Sequence, residues 1–476
     1  MSLRETVRSR FENKRIAVIG IGVSNLPLIR FLLDAGADIT ARDVKPLEEL
    51  SSEVKELCEK RGLSVICGEG YLDGIDEEII FRSPGLRPDV EKIAEAVSRG
   101  AVLTSEMELF FELTPARIVA ITGSDGKTTT TTLTYLLAKS LLEKSGEGGM
   151  AYVGGNIGAP LLPHVYEMTE KDIAVVELSS FQLQSMKDSA SIAVITNITP
   201  NHLNWHTDMQ EYTEAKKNVY KGDGCKRVVS NLSNDITREI LETIGEKVRI
   251  GFSLEEDSSE FCDGMVYLSD GNVILREGPC ETVLLDASKI KLPGRHNIEN
   301  YMAAAGAVYG LGFDEELFVR VLREVAQSFG GVEHRLEFVR TYDGVDYYNS
   351  SIDSSPTRTA AALRSFEDKS IVICGGYDKH IPFAPLADVL CEKAKKVILC
   401  GATAEAIADA IETCEAYADS GLVYETVGDF VSAVEAARDS AGVGDRVVLS
   451  PACASFDMFK NFEERGRRFK EIVNGF

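Results

Sequence analysis

The sequence has no apolar run approaching the roughly 20 residues that a membrane-spanning helix needs. Its opening, MSLRETVRSRFENKR, lacks the apolar core of a signal peptide. It has no C-x-x-C pair either. Ten cysteines stand singly at 58, 67, 225, 262, 280, 374, 391, 400, 414 and 453, which argues for buried reduced thiols and against a disulfide or zinc framework. Base is scarce: 51 Lys and Arg face 75 Asp and Glu, a formal net charge of −24. That argues against a surface that coats nucleic acid or an anionic membrane, and any bound anion must be held by locally placed Lys, Arg and backbone N–H groups. There is no internal repeat and no disordered tail. The expectation is a cytoplasmic protein with no nucleic-acid partner, no membrane insertion and no obligate protein partner.

What is present is a globular composition, 44% hydrophobic and 26% charged, spread over 476 residues, a length that implies two to four domains. Three blocks can be read. The first opens RIAVIGIGVSNLPLIRFLLDAGADITARD, a strand, a glycine turn, an amphipathic helix and a strand ending at Asp43. It continues through EEIIFRSPGL and closes near MELFFELTP. The second begins at ARIVAITGSDGK, adds the buried-strand runs DIAVVELSS and SIAVITNITP, and has a glycine-rich stretch from about Lys247 to Leu292 suited to hairpins. It closes with the helix of LPGRHNIENYMAAAGAVYG. After the hinge SFGGVEHR, the third block alternates again through VDYYNSS, SIVICGGYDK, KVILCG, LVYETVG and DRVVLSPACASFD. Such alternation predicts α/β folding on mainly parallel sheets, with ligands received at the C-terminal strand ends.

Four places along these blocks carry chemistry. Gly20-x-Gly22-x-x-Asn25 resembles a dinucleotide turn without its third glycine, and Asp43 falls where a ribose-binding acid would stand. A tight strand-to-helix turn with no ligand accounts for it equally well. The stretch Gly123-Ser124-Asp125-Gly126-Lys127-Thr128-Thr129 directly after a buried strand suits a phosphate loop. Its N–H groups and Lys127 would meet phosphates, and a threonine hydroxyl would meet Mg²⁺. The usual first glycine is replaced by Ile121. Glu177 ends another buried strand and suits a Mg²⁺ ligand. His202 and His206 lie beyond a further strand, but no glutamate follows the first and no third ligand is evident, so zinc is the poorer reading. Tyr212 and Lys216 share a helix face at i, i+4 spacing, which is also the ordinary pattern of a solvated charged face.

Taken together, GSDGKTTT, ELSSFQL, ITPNHLNWHTDMQEYTEAK, LPGRHNIEN, EHRLE and LSPACASFDMFKNFEERGRRF resemble the Mur ligases over nearly the whole chain, from Gly20 to Phe469. SSFQL and SPACASFD…KNFEERG point to the D-glutamate-adding branch. The resemblance implies three α/β domains: a Rossmann-like domain over 1–113 for the uridine-linked substrate, a central P-loop ATPase-like domain over 114–331, and a Rossmann-like amino-acid-binding domain over 332–476. It implies UDP-N-acetylmuramoyl-L-alanine, D-glutamate and ATP as substrates, two Mg²⁺ sites, and an acyl-phosphate route in peptidoglycan synthesis.

Residue by residue, the resemblance implies that Gly123, Ser124, Asp125, Gly126, Lys127, Thr128 and Thr129 hold the phosphates. Thr128 and Glu177 would hold one Mg²⁺, and His202 a second. Lys216 would act as a carbamate and metal ligand. Asn297 and Asn300 would meet adenine, and Arg335 a phosphate or ribose. Val23, Ser24, Asp43 and Asn156 would form the uridine-diphosphate site, while Lys379, Ser455 and Phe462 would hold the incoming glutamate. Lys127, Glu177, His202 and Lys216 form the expected catalytic set.

One segment departs. The family's Asn-Asp-Ser-Lys-Ala-Thr-Asn is here Asn349-Ser350-Ser351-Ile352-Asp353-Ser354-Ser355, without the acid at 350 and the lysine at 352. Asp125, where the family often has Asn, is expected to turn its carboxylate away from the triphosphate or toward Mg²⁺. These changes keep two alternatives open, a paralogue that adds another acidic amino acid such as L-glutamate and a nucleotide-binding regulator that has lost catalysis; the incomplete dinucleotide fingerprint leaves a third, a dehydrogenase built on the first block.

Overall fold

Runs of β-branched and small apolar residues become buried parallel strands, and they do so in three separate sheets. In a computed structural model that describes residues 2–22, 24–203, 205–256, 260–366, 368–379 and 381–476, the chain divides into two compact units. One comprises Met1–Ile290 and Arg295–Gln327, the other Lys291–Gly294 and Ser328–Phe476. Among the described residues no helix is long and apolar enough to cross a membrane.

The first unit carries two sheets. The first is β1 (Arg15–Ile19), β2 (Asp38–Asp43), β3 (Ser64–Cys67), β4 (Ile79–Arg82) and β5 (Val102–Thr104), all parallel in the order β3-β2-β1-β4-β5. The order reverses between β1 and β4, which makes the C-terminal ends of those strands a natural ligand crevice. Asn25, standing where the fingerprint has its third glycine, donates its side-chain amide to the carbonyls of Ile19 (3.1 Å) and Gly20 (2.8 Å) and so locks the turn.

The second sheet comprises β6 (Arg117–Thr122), β7 (Ala151–Gly155), β8 (Ile173–Glu177), β9 (Ile192–Ile195), β10 (Arg227–Asn231), β11 (Val248–Ser253), β12 (Gly264–Ser269), β13 (Asn272–Glu277) and β14 (Cys280–Asp286). Its order is β14-β13-β12-β11-β10-β9-β6-β8-β7. The run β7 to β12 is parallel, and the expected hairpins add β13 and β14 antiparallel. All five residues of β8 are buried, the near-continuous apolar pattern of a strand covered on both faces.

Arg82, at the end of β4, ties the two sheets of this unit together. Only 1% exposed, it donates to the carbonyls of Leu86 and Phe181 and to the Ser185 hydroxyl, each at 2.9 Å. Glu108, on the helix Glu106–Leu113, accepts from Ser105 (3.0 Å) and Ser185 (3.4 Å). Burial pushes its carboxyl up to about 7 against the pull of Ser105 and Arg82.

The second unit holds β15 (Glu337–Tyr342), β16 (Val345–Asn349), β17 (Ser370–Cys374), β18 (Ala394–Leu399), β19 (Val423–Thr426) and β20 (Arg446–Leu449) in the order β15-β16-β20-β17-β18-β19. Only β15 is antiparallel to its neighbour. The strands β16, β20 and β17 therefore finish side by side.

Candidate active site

In the first unit the order β9-β6-β8 decides which residues meet. Parallel register sets Glu177 opposite Ile121 and Ile195 opposite Thr122. Three loops thus leave one sheet edge together: the glycine loop after β6, the loop opened by Glu177 after β8, and the loop after β9 that carries His202.

The glycine loop is held against the third of these. Gly123 lies at φ +149°, and a Cβ there would fall 1.9 Å from the Thr196 hydroxyl, so only glycine fits. The N–H groups of Ser124 and Asp125 donate to the backbone carbonyl (2.8 Å) and side-chain oxygen (2.9 Å) of Asn197. The phosphate cradle is therefore left to the first turn of the helix Lys127–Ser145, whose opening N–H groups have no intrahelical acceptor. Lys127 folds back onto the loop and donates to the carbonyls of Gly123 (3.0 Å) and Ser124 (2.9 Å). The Asp125 residue is exposed and Thr128 buried.

The threonine run after Lys127 sorts into separate duties. Thr132 and Thr134 return their hydroxyls to the carbonyls of Thr128 (2.8 Å) and Thr130 (2.7 Å) one turn back. Thr130 donates to Asn300 Oδ1 at 3.1 Å, and Asn300 Nδ2 donates to Asn297 Oδ1 at 3.0 Å. Asn297 and Asn300, from the helix Arg295–Tyr309, are thereby brought against the start of the phosphate-loop helix.

Glu177 is 1% exposed. Asn156 donates to its Oε1 at 2.9 Å, and among the described residues nothing hydrogen-bonds its Oε2. A buried, half-satisfied carboxylate is costly unless a cation completes it. Lys216 is also 1% exposed; it donates to the Gly123 carbonyl at 2.7 Å and to Thr122 Oγ1 at 3.4 Å. Burial, then the Lys127 charge, hold its amine well below the ordinary lysine value, while Glu177 and Asp125 pull the other way. Its neighbour Tyr212 shares a 2.8 Å hydrogen bond with Ser124, a link the helical spacing alone does not reveal. His202 adopts φ +56°, and burial with the Lys127 charge holds its imidazole low, hence neutral. Among the described residues no three His, Cys, Asp or Glu side chains form a metal cage. The orphan carboxylate oxygen of Glu177 and the Thr128 hydroxyl fit one Mg²⁺ ion, and the neutral His202 imidazole suits a second, each completed by phosphate oxygens and water.

At the first sheet, Asp43 accepts from the N–H groups of Ile21 (2.7 Å) and Lys45 (2.9 Å), and Ser24 precedes the helix Asn25–Asp34 without a side-chain cap bond. Val23 lies outside the described residues.

In the second unit, Ser350–Ser355, Gly375–Lys379 and Ser450–Ser455 follow the adjacent ends of β16, β17 and β20. Gly376 at φ +147° passes so close to Ala454 that a Cβ would sit 2.3 Å from its carbonyl oxygen. Lys379 donates to the Ser354 carbonyl at 3.3 Å and hydroxyl at 3.4 Å, and Ser455 is buried. Phe462 opens the helix Phe462–Asn474 and accepts from the Ser351 hydroxyl at 2.8 Å. Two residues that motif reading passed over organise this edge. Arg465, 1% exposed, donates to Ser351 Oγ (3.0 Å) and to the carbonyls of Ser351 (2.8 Å), Cys453 (3.1 Å) and Ala454 (3.1 Å), binding two loops to one helix. Asp353 accepts from Ser450 at 2.8 Å. Burial raises its carboxyl against the pull of Ser350, Ser450, Arg335 and Arg358. The segment that lacks an acid at 350 thus keeps a buried carboxylate three residues on.

Comparison with known proteins finds likenesses over nearly the whole chain. The family model for the Mur ligase middle domain matches residues 121–308, and that for the Mur ligase glutamate ligase domain matches 334–453. A UDP-N-acetylmuramoylalanine–D-glutamate ligase of Acetivibrio thermocellus is 46% identical over 474 residues, 98% of this chain and 97% of that protein. A protein of the same name from Ruminiclostridium cellulolyticum is 46% identical over 477 residues, 99% of this chain and 98% of its own. Among solved structures, a UDP-N-acetylmuramate–alanine ligase of Thermotoga maritima shares the fold at TM-score 0.54 and 18% identity, covering 97% of this chain and 100% of that one.

Proposed function

Because the chain belongs to the Mur ligase family, we propose that it joins D-glutamate to UDP-N-acetylmuramoyl-L-alanine with cleavage of ATP to ADP and phosphate, in the cytoplasmic stage of peptidoglycan synthesis. The observation that carries the reading is the convergence of Lys127, Thr128, Glu177 and Lys216 where β8, β6 and β9 end. On this reading 1–113 receives the uridine-linked substrate, 114–331 the ATP and 332–476 the amino acid.

A free carboxylate is a poor acyl donor. Its oxygen attacks the γ-phosphorus, ADP leaves, and the resulting acyl phosphate is attacked by the amine of glutamate with loss of phosphate. The chain's own work is placement and charge. The Lys127 ammonium exchanges the carbonyls of Gly123 and Ser124 for terminal phosphate oxygens. The opening turn of the helix Lys127–Ser145 offers its N–H groups to the same anion. Glu177 and Thr128 would hold one Mg²⁺ and His202 a second, and ions bound there would supply neutralisation of phosphate charge. Lys216, whose amine burial holds well below the ordinary lysine value, takes up CO₂ in its neutral form with release of one proton and becomes an anionic carbamate that still has one N–H for the Gly123 carbonyl. Lys379, Ser455 and Phe462 receive glutamate, Asn297, Asn300 and Arg335 the nucleoside side of ATP, and Ser24, Asp43 and Asn156 the uridine diphosphate. Gathering three substrates in one geometry is worth about 7–11 kcal/mol in favourable cases.

The test is product formation with separate enantiomers. D-glutamate should support amide formation and phosphate release, while L-glutamate and aspartate should support neither at a comparable rate. Preference for L-glutamate or aspartate overturns the D-glutamate assignment, and absence of substrate-stimulated ATP hydrolysis overturns the ligase.

A further inference from the structure

The loop that carries His202 has little regular structure of its own, yet it holds a non-glycine residue at positive φ, a conformation that persists only where the surroundings impose it. The His202 carbonyl accepts the N–H groups of Trp205 and His206, both at 3.0 Å, so this turn fixes the His202 backbone. What fixes the turn comes from elsewhere. Arg87, in the loop after β4 of the first sheet, donates to the Trp205 carbonyl and lays its guanidinium 5.2 Å over the Trp205 ring. The same guanidinium makes a forked pair with Glu211, at 2.8 Å and 3.3 Å, and also meets Asp89 at 2.8 Å.

Glu211 completes the grip. It accepts from the Thr207 N–H at 2.6 Å and from Gln184 at 2.8 Å, and its Oε2 stands 3.6 Å from His206 Nδ1. The His206 ring is fully buried, pairs through Nε2 with the Ser180 hydroxyl at 2.9 Å, and meets Tyr212 edge-on at 5.2 Å.

We infer that Arg87 and Glu211 are positioning residues for His202: the pair fastens the turn from His202 to His206, and a side chain of the first sheet thereby becomes part of the metal-binding apparatus of the second. The inference rests on the reading of His202 as a Mg²⁺ ligand. A planar fork shared between a carboxylate and a carbonyl is what arginine supplies and lysine does not, so Arg87→Lys should retain only part of the effect. With both side chains about a quarter exposed, 23% and 24%, solvent screening keeps the effect moderate.

Trp205 is the single tryptophan of the chain and reports on this turn without any metal. In the metal-free protein, Arg87→Ala and Glu211→Gln should raise acrylamide quenching of Trp205 about two-fold or more. In turnover assays the free Mg²⁺ needed for half-maximal rate should rise by about three- to ten-fold, with Arg87→Lys intermediate. His202→Ala is run in parallel. If it alone shifts the Mg²⁺ curve, while Arg87→Ala and Glu211→Gln melt lower but keep the parent's quenching and Mg²⁺ dependence, the pair is merely structural and the inference is overturned. If His202→Ala leaves the Mg²⁺ curve unmoved, it is the metal reading of His202 that fails, and the inference with it.

Discussion

Lys216→Ala is expected to lower turnover by about 10²- to 10³-fold, the scale on which removal of one preorganised charge-stabilising group is felt. Added acetate or propionate should restore a measurable part. The reasoning begins with burial: an amine that is 1% exposed, with the Lys127 charge adding to the desolvation penalty, is held well below the ordinary lysine value, so its neutral form is easier to reach than that of a surface lysine. On the proposed reading, neutral amine combines with CO₂, and the product would reverse the sign of the charge beside Glu177 and the phosphate loop. In the alanine variant the space and the missing negative charge are both available to a small carboxylate. An ammonium that served only to hold the Gly123 carbonyl would give the same loss without rescue. Rates measured with and without the carboxylate, at matched ionic strength, separate the two. Full activity of the unsupplemented variant removes the carbamate altogether. Acidification should weaken the parent enzyme as well, since protonating the amine competes with CO₂ uptake.

Glu177→Gln should be nearly as severe for catalysis, with a loss of about 10²-fold or more, and mild for folding. The amide keeps an oxygen for the 2.9 Å hydrogen bond from Asn156, so local geometry is retained. What disappears is the charge on the oxygen that has no hydrogen-bond partner among the described residues. An orphan buried charge of this kind is a stability cost tolerated for a ligand, and the melting temperature should stay level or rise. A rise in the Mg²⁺ requirement together with an unchanged or higher melting temperature supports Glu177 as a cation ligand. A lower melting temperature with near-normal turnover would make it a structural residue.

Much of this architecture was legible because strand ends and chemistry coincide in the sequence. IVAIT running into Gly123, and AVV running into Glu177, each announce a buried parallel strand and the functional group at its tip. The stretch between Lys247 and Leu292 forecast hairpins, which appear as β12 to β14. The short strands β3, β5 and β15 were not separable from their loops, because runs such as Ser64–Cys67 are half-exposed at the sheet edge and carry no continuous apolar signal. Side-chain pairings across elements were the least visible. Nothing near Asn156 foretells that its amide meets Glu177, 21 residues on. Nothing near Arg87 foretells Glu211, 124 residues on. Arg465 sat inside a recognised motif together with Cys453 and Ala454, yet its other two acceptors belong to Ser351, 114 residues away. Asp353 had a signal in plain view, an acid three residues after the position that lost one, but its burial against Ser450 is a tertiary fact.

The most direct measurement follows the oxygen atoms. UDP-N-acetylmuramoyl-L-alanine carrying ¹⁸O in both carboxylate positions should, on turnover with ATP and D-glutamate, deliver one labelled oxygen to each phosphate released and keep the other in the new amide. That transfer is required if the groups gathered at the ends of β8, β6 and β9 bring the γ-phosphate to the carboxylate. Phosphate released without label, alongside normal amide product, would contradict it.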